Sequence, residues 1–351
     1  MPKILYRRLN TEIELFCPRR TCCFYQSTDN TITKDGVYTT KNDGQDRQMF
    51  YCKKGKHRFS ETGYSDLFGK HGSFKAYEQM SKLSCYGLSP EAIADVLNKD
   101  VRTIATWQRG VSKKANLFHE VICLLIPLTV MFLQMDELWS YLKNKNNRLW
   151  VFIGFDVDSR FWLNFELGSR TTRTATQLVT HLKRYLDKLP RIHPLKITTD
   201  KLAAYNNALQ SVLNDTAYVY LQIVKKRVKM RLVTVKKCFV KGAEADFKGK
   251  TQNTSFIERF NLTLRQRVSY LQRKTLGYCK KKAHFKEVLW INLYDYNYRC
   301  YHKSLRQPVT PSGTSRFQKR WRHRTPAMAM GLAQEALTWK ALFVVPIQIT
   351  H

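Results

Sequence analysis

The chain has 351 residues, 43% of them hydrophobic and 13% aromatic, enough for one large core with one or two smaller units beside it. Sixty Lys and Arg stand against 27 Asp and Glu, a formal net charge of +33 that runs through the whole sequence. That balance is too one-sided for an ordinary enzyme of small molecules. It favours a polyanionic partner, nucleic acid before an anionic membrane, since a membrane-surface binder concentrates its charge on one amphipathic helix or tail.

The opening residues, MPKILYRRLNTEIELF, lack the apolar run of an export signal. Nine cysteines, an odd number, fit a reducing compartment, so a cytoplasmic location is expected, nucleoid-associated in a prokaryote. From Cys17 to Phe59 the chain is rich in Thr, Asn, Asp, Gly and Lys, with cysteines near both ends. A loop-rich stretch with so few apolar residues needs something other than a core to hold it. From about Phe74 to Lys114 the pattern is helical. Ser89 fits an N-cap and Pro90 a first helical position, and Ile93, Val96 and Leu97 form an apolar stripe. A break at Asn98-Lys99-Asp100 precedes a second helix from Val101, whose Ile104 and Trp107 pack on the first. This helix-turn-helix would turn Arg102, Thr103, Thr106 and Arg109 toward a DNA groove. The alternative is an ordinary helical hairpin. The most apolar stretch, Val121–Met135, contains Pro127 and is shorter than the roughly 20 residues that cross a bilayer. It reads as a buried segment leading into a strand, and no membrane partner is expected.

From Leu128 to Leu305 strands and helices alternate. Met131–Leu142, Leu149–Phe155 and Phe161–Leu167 read as strands, Thr174–Leu189 as a helix, and Leu195–Thr199 as the next strand. Three strands, a helix and a strand are the opening of a ribonuclease-H-like α/β fold.

Cutting or joining phosphodiesters commonly uses two Mg²⁺ ions held by a few carboxylates. In a chain so poor in acids, an acid at the end of a core strand is informative. Asp136 lies in the apolar strand Leu133–Trp139. Asp200 closes the strand Ile197-Thr198-Thr199, at the edge where open α/β sheets place ligands. Glu258 heads a helix on which Ile257, Leu264 and Val268 bury one side, with Glu258, Asn261 and Arg265 beside it. No acid occurs from Arg259 to Lys286. Glu258 alone could be a capping acid that offsets the helix dipole. Glu137 alternates to the opposite strand face from Asp136, and Asp156 and Asp158 fit a hairpin turn.

At these residues a family resemblance emerges. Asp136-Glu137-Leu138-Trp139-Ser140-Tyr141 resembles the first-aspartate motif of the insertion-sequence-one family of DDE transposases. Thr199-Asp200 followed by Tyr205 is similar to that family's second aspartate. Ile257–Arg267, continuing through Leu271–Thr275, is similar to its glutamate helix. Tyr298–Leu305, with His302, resembles the end of such domains. The resemblance implies an enzyme that cuts insertion-sequence ends and joins their 3′-OH ends to target DNA. Asp136, Asp200 and Glu258 would hold two Mg²⁺ (or Mn²⁺) ions. Arg259, Asn261, Arg265, Arg267, Arg273 and Lys274 would contact double-stranded DNA, and two ends brought together imply a homo-oligomer.

The family plan also places a zinc finger and a helix-turn-helix ahead of the catalytic part. Here the finger is irregular. Cys17-Pro18 begins the first pair, but its partner is displaced to Cys22 or Cys23; in the second pair Cys52 is present while Gly55 occupies the expected cysteine position, with His57 nearby. Cys17, Cys22 or Cys23, Cys52 and His57 can supply four Zn²⁺ ligands; the alternative is a decayed finger. The expected plan is a zinc-finger-like region at 1–70, a helix-turn-helix at 71–120, a ribonuclease-H-like domain at 121–305 and a C-terminal tail at 306–351. Lys225–Lys250 is either a DNA-gripping insertion or a solvated loop. The rival function is a catalytically silent DNA-binding repressor or transposase remnant, and a weaker one is a nuclease without strand transfer.

Overall fold

A computed structural model describes residues 17–19, 21–23, 25, 32–39, 46–60, 63, 72–187, 193–228, 231–247, 249–274, 277–309 and 321–344. Near the N-terminus, β1 (Ile32–Thr39), β2 (Asp46–Cys52) and β3 (His57–Ser60) form an antiparallel sheet in that order. This replaces the loop-rich stretch expected there. Phe50, Cys52 and Phe59 turn inward with Cys17 and build a small core, while most of β1 is exposed. A sheet with one small buried face needs few apolar residues, so its composition resembles that of a loop.

Three helices follow: α1 (Phe74–Cys85), α2 (Pro90–Leu97) and α3 (Val101–Leu125). Local capping explains their limits. Ser89 Oγ accepts from Ala92 N at 3.2 Å, Asn98 adopts a left-handed conformation, and Asp100 Oδ1 accepts from Arg102 N at 2.7 Å. Ile93, Ile104 and Trp107 are buried; Val96, assigned to the same stripe, is 60% exposed. The long α3 passes through residue 120, where a domain limit was expected. Its second half buries Phe118, His119 and Ile122 in the cluster that also contains the main sheet.

The main sheet has six strands in the order β6-β5-β4-β7-β8-β9. In chain order these elements are β4 (Phe132–Tyr141), β5 (Arg148–Asp156), β6 (Trp162–Gly168), α4 (Thr172–Leu186), β7 (Leu195–Asp200), α5 (Ala203–Val212), β8 (Tyr218–Val228) and β9 (Arg231–Lys241). The first three strands form an antiparallel meander; β7 runs parallel to β4 and β8, and β9 returns antiparallel. The fold is therefore mixed α/β around a mixed sheet. α4 and α5 cover one face: the Tyr205 and Phe152 ring centroids are 5.7 Å apart, and a Cβ on Gly154 would lie 2.8 Å from Leu182 Cδ1. α6 (Ser255–Arg267) and α7 (Lys282–Tyr294) cover the other, with Phe155–Phe260 and Phe165–Trp290 centroids each 4.8 Å apart.

Side chains close the outer edge of β6. His119 Nε2 donates to Leu163 O at 2.7 Å, which leaves Nδ1 to accept from Tyr298 OH at 3.0 Å. Asn297 accepts from Trp162 N and donates to Trp162 O, at 2.9 and 2.8 Å. An edge satisfied in this way is no template for another strand. The other edge is formed by β8 and β9, so within Lys225–Lys250 residues 225–228 and 231–241 are strands of the sheet rather than a solvated loop. Beyond β10 (His302–Pro308) and β11 (Trp321–Arg324), residues 326–344 fold back in α8 (Pro326–Ala329) and α9 (Trp339–Val344). Trp339 is buried against Tyr294 and Phe343 against Tyr77, so this part of the expected tail belongs to the core. Among the described residues, no helix is long and apolar enough to cross a membrane.

Candidate active site

The site begins where two parallel strands part. β4 and β7 are paired at Phe132↔Lys196, Leu133↔Ile197 and Gln134↔Thr198. Two residues further along each strand stand Asp136 and Asp200, side by side in register at the opening. The gap is a cleft of about 710 Å³ whose lining includes Asp136, Glu137, Asp200 and Glu258, with Arg170, Lys201, Lys225, Arg265 and Arg273 among its basic residues.

Asp136, Glu137 and Asp200 each offer a carboxylate oxygen within 4.8 Å of the others. Glu137 was set aside on the alternation of the strand. The alternation itself holds: Asp136 Oδ2 accepts from Asn261 Nδ2 of α6 at 2.7 Å, whereas Glu137 Oε2 accepts from Tyr205 OH of α5, on the other sheet face, at 3.2 Å. Its expected consequence does not follow, because the unpaired margin of β4 lets both carboxyl groups reach the gap. A usable signal was present. β4 is buried almost throughout, so an acid on either face needs a donor. Arg170 supplies it, giving Nε and Nη2 to Glu137 Oε1 at 2.9 and 2.6 Å, with Nη2 3.9 Å from Asp200 Oδ2.

Two carboxylates about 4 Å apart repel by roughly 4 kcal/mol at an effective dielectric near 20. The Asp136 carboxyl is accordingly pushed up to about 8, by burial first and then by Glu137 and Asp200. Glu137 is raised too, by burial and Asp200, with Arg170 and Tyr205 opposing. A group of hard oxygen donors held at such cost fits a divalent cation of the Mg²⁺ kind, which would favour the ionised forms.

Glu258 arrives by another route. Gln134, buried in β4, donates from Nε2 to Asn253 O at 2.6 Å and accepts from Ile257 N at 2.9 Å, while Thr198 donates to Thr251 O at 2.9 Å. These bonds tie the start of α6 to the tips of β4 and β7. Burial of Ile257, Phe260 and Leu264, at about 1.5–3 kcal/mol each, then fixes the helix. Glu258 consequently lines the cleft, but its Oε1 accepts from Thr254 Oγ1 at 2.6 Å and is paired with Lys225 of β8. It lies outside the close group of three.

The other expected site residues scatter. Arg102, Thr106 and Arg109 are exposed on α3 and Thr103 is half-buried, with Arg109 3.6 Å from Glu287. Arg265 and Arg273 line the cleft, and Arg259 and Lys274 are exposed near it in sequence. Asn261 faces Asp136 rather than solvent. Arg267 turns inward to Asp295 Oδ2 at 2.5 Å, with side-chain exposures of 17% and 8%. His302 packs against Tyr296 and is not among the cleft-lining residues.

The matching of known proteins falls on this part of the chain. Residues 129–245 match the family model described as IS1 transposase. The chain is also 26% identical over 147 residues to insertion element IS1 protein InsB of Shigella flexneri, covering 42% of this chain and 82% of that protein. Over these residues the chain is similar to the IS1 transposase family. The transposase-family match spans β4 through β9 and so includes Asp136, Glu137, Asp200 and Lys225; Glu258 lies beyond its end.

A second cluster lies in the N-terminal sheet. Cys17, Cys22, Cys52 and His57 bring one ligand atom each within 4.8 Å of the others, with Cys17 Sγ 3.1 Å from His57 Nε2. The choice between Cys22 and Cys23 falls on Cys22; Cys23 is exposed. His57 Nδ1 lies 3.0 Å from Gly55 O, to which it can only donate, leaving Nε2 free to bind as a ligand. Gly55 explains the missing cysteine: a Cβ there would lie 2.6 Å from Cys22 Sγ and 2.7 Å from the His57 ring. His57 fills the space that a side chain at 55 would need. Burial, with Cys22 and Cys52 adjacent, pushes the Cys17 thiol up to about 12. Three sulfurs and an imidazole are the donor set of a structural Zn²⁺ site.

Proposed function

We propose that this chain is a metal-dependent DNA transposase that cuts insertion-sequence ends and joins their 3′-OH ends to target DNA. The observation that carries the reading is the convergence of Asp136, Glu137 and Asp200 where β4 and β7 part, beneath the Glu258 helix and within a basic rim. The sheet of residues 132–241, a three-stranded meander followed by parallel strands with intervening helices, supports a ribonuclease-H-like fold. The capped pair α2 and α3, with Arg102, Thr106 and Arg109 exposed, supports a helix-turn-helix for end recognition.

Asp136, Asp200 and Glu258 are the proposed ligands of two Mg²⁺ (or Mn²⁺) ions, which when bound supply an activated water and neutralise the leaving oxygen. In the cut, a water oxygen bonds to phosphorus and the bond to the 3′ oxygen breaks. In the joining, that 3′-OH attacks a target phosphate and displaces the target's own 3′ oxygen, with no net change in phosphodiester bonds. Asn261 holds Asp136 through Oδ2. Both Glu137 oxygens already accept from Arg170 and Tyr205, so Glu137 acts as a positioning residue that sets Arg170 against Asp200. Arg265 and Arg273 hold backbone phosphates on one wall, with Arg259 and Lys274 beyond them. Arg267 and Asn261 are left out of this group, since Arg267 is paired with Asp295 and Asn261 donates to Asp136. Zn²⁺ on Cys17, Cys22, Cys52 and His57 stabilises the N-terminal sheet, and pairing of two ends calls for a homo-oligomer.

The test is a strand-transfer assay. Protein, a labelled duplex carrying the element's ends, plasmid and Mg²⁺ are incubated, and wild type is compared with Glu258→Gln. Joined product from wild type alone supports the reading. A duplex that is bound but never cut or joined, in Mg²⁺ or Mn²⁺, makes the chain a silent DNA-binding protein; cutting without joining makes it a nuclease.

A further inference from the structure

Outward from the carboxylates, β4 shows Glu137, Trp139 and Tyr141 in turn on one face. The cross-strand partners of the last two on β5 are Trp150 and Arg148. This face therefore presents a carboxylate, then a Trp139–Trp150 pair, then a Tyr141–Arg148 pair. At the alternating positions Leu138 and Ser140 are buried. Trp139 is 38% exposed, and its ring centroid lies 5.5 Å from that of Tyr141. Arg170, which spans Glu137 and Asp200, also stands over the Trp150 ring, 4.9 Å from its centroid.

A single exposed aromatic needs no explanation. An exposed Trp139 set against half-buried Tyr141 and Trp150, beside a cleft and bordered by guanidinium groups, does. Two residues along a strand cover about 6.6 Å, a span on the scale of one nucleotide, so a phosphate at the carboxylates and a neighbouring base on Trp139 are geometrically compatible. The charge around the patch decides its occupant. Arg148, Lys143 and Lys145 are exposed beside it and Arg170 partly so. A second copy of a chain carrying +33 would be repelled there, whereas a nucleic acid strand brings both a π-face and a negative backbone.

We propose that Trp139, backed by Trp150 and Tyr141, is a stacking platform for an unpaired nucleobase next to the phosphate that is cut. The inference rests on the transposase reading and adds a binding subsite to it. Arg148 and Arg170 hold the flanking phosphates.

The experiment uses the full chain and two labelled probes: a blunt duplex, and the same duplex with a short single-stranded thymidine tail containing 2-aminopurine. Wild type, Trp139→Ala, Trp139→Leu and Trp139→Phe are compared by anisotropy and 2-aminopurine quenching, with folding checked by circular dichroism. Trp139→Ala and Trp139→Leu should weaken tailed-duplex binding roughly tenfold and abolish quenching, with less than about a twofold effect on the blunt duplex. Trp139→Phe should retain most of both. Trp139→Leu keeps the apolar bulk, so it separates stacking from packing if the alanine variant misfolds. Unchanged affinity and quenching in the leucine variant overturn the platform, and Mg²⁺-dependent cutting by that same variant leaves the transposase reading standing. Wild type that binds neither probe overturns both. Loss of a dimer in the ultracentrifuge, with DNA binding unaltered, marks the face as a self-association surface and also overturns the platform.

Discussion

Among the described residues, candidate metal ligands gather in two places and are built in opposite ways. At Cys17, Cys22, Cys52 and His57 the donors are three sulfurs and an imidazole, packed with Phe50 and Phe59 in a core too small to hold a sheet by itself. At Asp136, Glu137 and Asp200 the donors are all oxygen, and they face a cleft of about 710 Å³ rimmed by Arg and Lys. The first arrangement offers four sulfur and nitrogen ligands beside a small core; the second has room and a countercharge for a substrate. Closed sites hold structure and open ones perform chemistry.

That contrast can be broken most forcefully at the cleft. Asp136→Asn or Asp200→Asn should reduce DNA cutting and joining by at least roughly a thousandfold while duplex affinity stays within about twofold. Glu137→Gln should cost only about tenfold, as suits a residue that acts through Arg170. Equal losses from Glu137 and Asp136 would show that the roles assigned to them are wrong. At the other cluster, Cys52→Ala should remove about one zinc per chain and expose the N-terminal sheet to proteolysis. His57→Cys should retain the metal, and Gly55→Ala should weaken it by crowding Cys22.

Arg267 and Arg273 sharpen the comparison between buried and exposed charge. Arg267→Ala leaves the buried Asp295 with Arg299 as its remaining cation, Nε 3.0 Å from Oδ1, so a loss of about 1–3 kcal/mol in urea unfolding is expected, with no change in DNA affinity. Arg273→Ala should do the reverse, lowering DNA affinity a few-fold with stability within about 0.5 kcal/mol of wild type.

A last effect concerns pH. Burial pushes His119 down to about 4. The native state then binds fewer protons than the unfolded one between about pH 6.5 and pH 4, so stability is present above that window and falls as pH falls through it, by up to roughly 3 kcal/mol. His119→Gln should be less stable at pH 8 yet show a shallower decline over the same range in thermal melts.

Strands β4 to β7 were legible because apolar runs ended at clear turns, and Asp200 because it closed one of them. The helix starts at Ser89 and Asp100 were legible through capping chemistry, which is local. The N-terminal strands were not, since a sheet with one small buried face has the composition of a loop. Nor was the meeting of Glu137 with Asp136, which depends on where β4 loses its partner strand; pairing between distant segments leaves no local mark. The buried strand around Glu137 and the search for its donor would have led to Arg170. The inward turn of Arg267 was not legible for a related reason: on a basic helix, only the three-dimensional position of Asp295 distinguishes an inward arginine from an outward one.

The central claim is that the open cluster, and not the closed one, carries the catalytic cations. Electron paramagnetic resonance of Mn²⁺ titrated into zinc-loaded protein with duplex DNA tests it directly, on wild type, Asp136→Asn, Asp200→Asn and Cys52→Ala. The account predicts that Mn²⁺ binding is lost in both aspartate variants and kept in Cys52→Ala. Binding that survives Asp136→Asn and Asp200→Asn, or that disappears with Cys52→Ala alone, would contradict it.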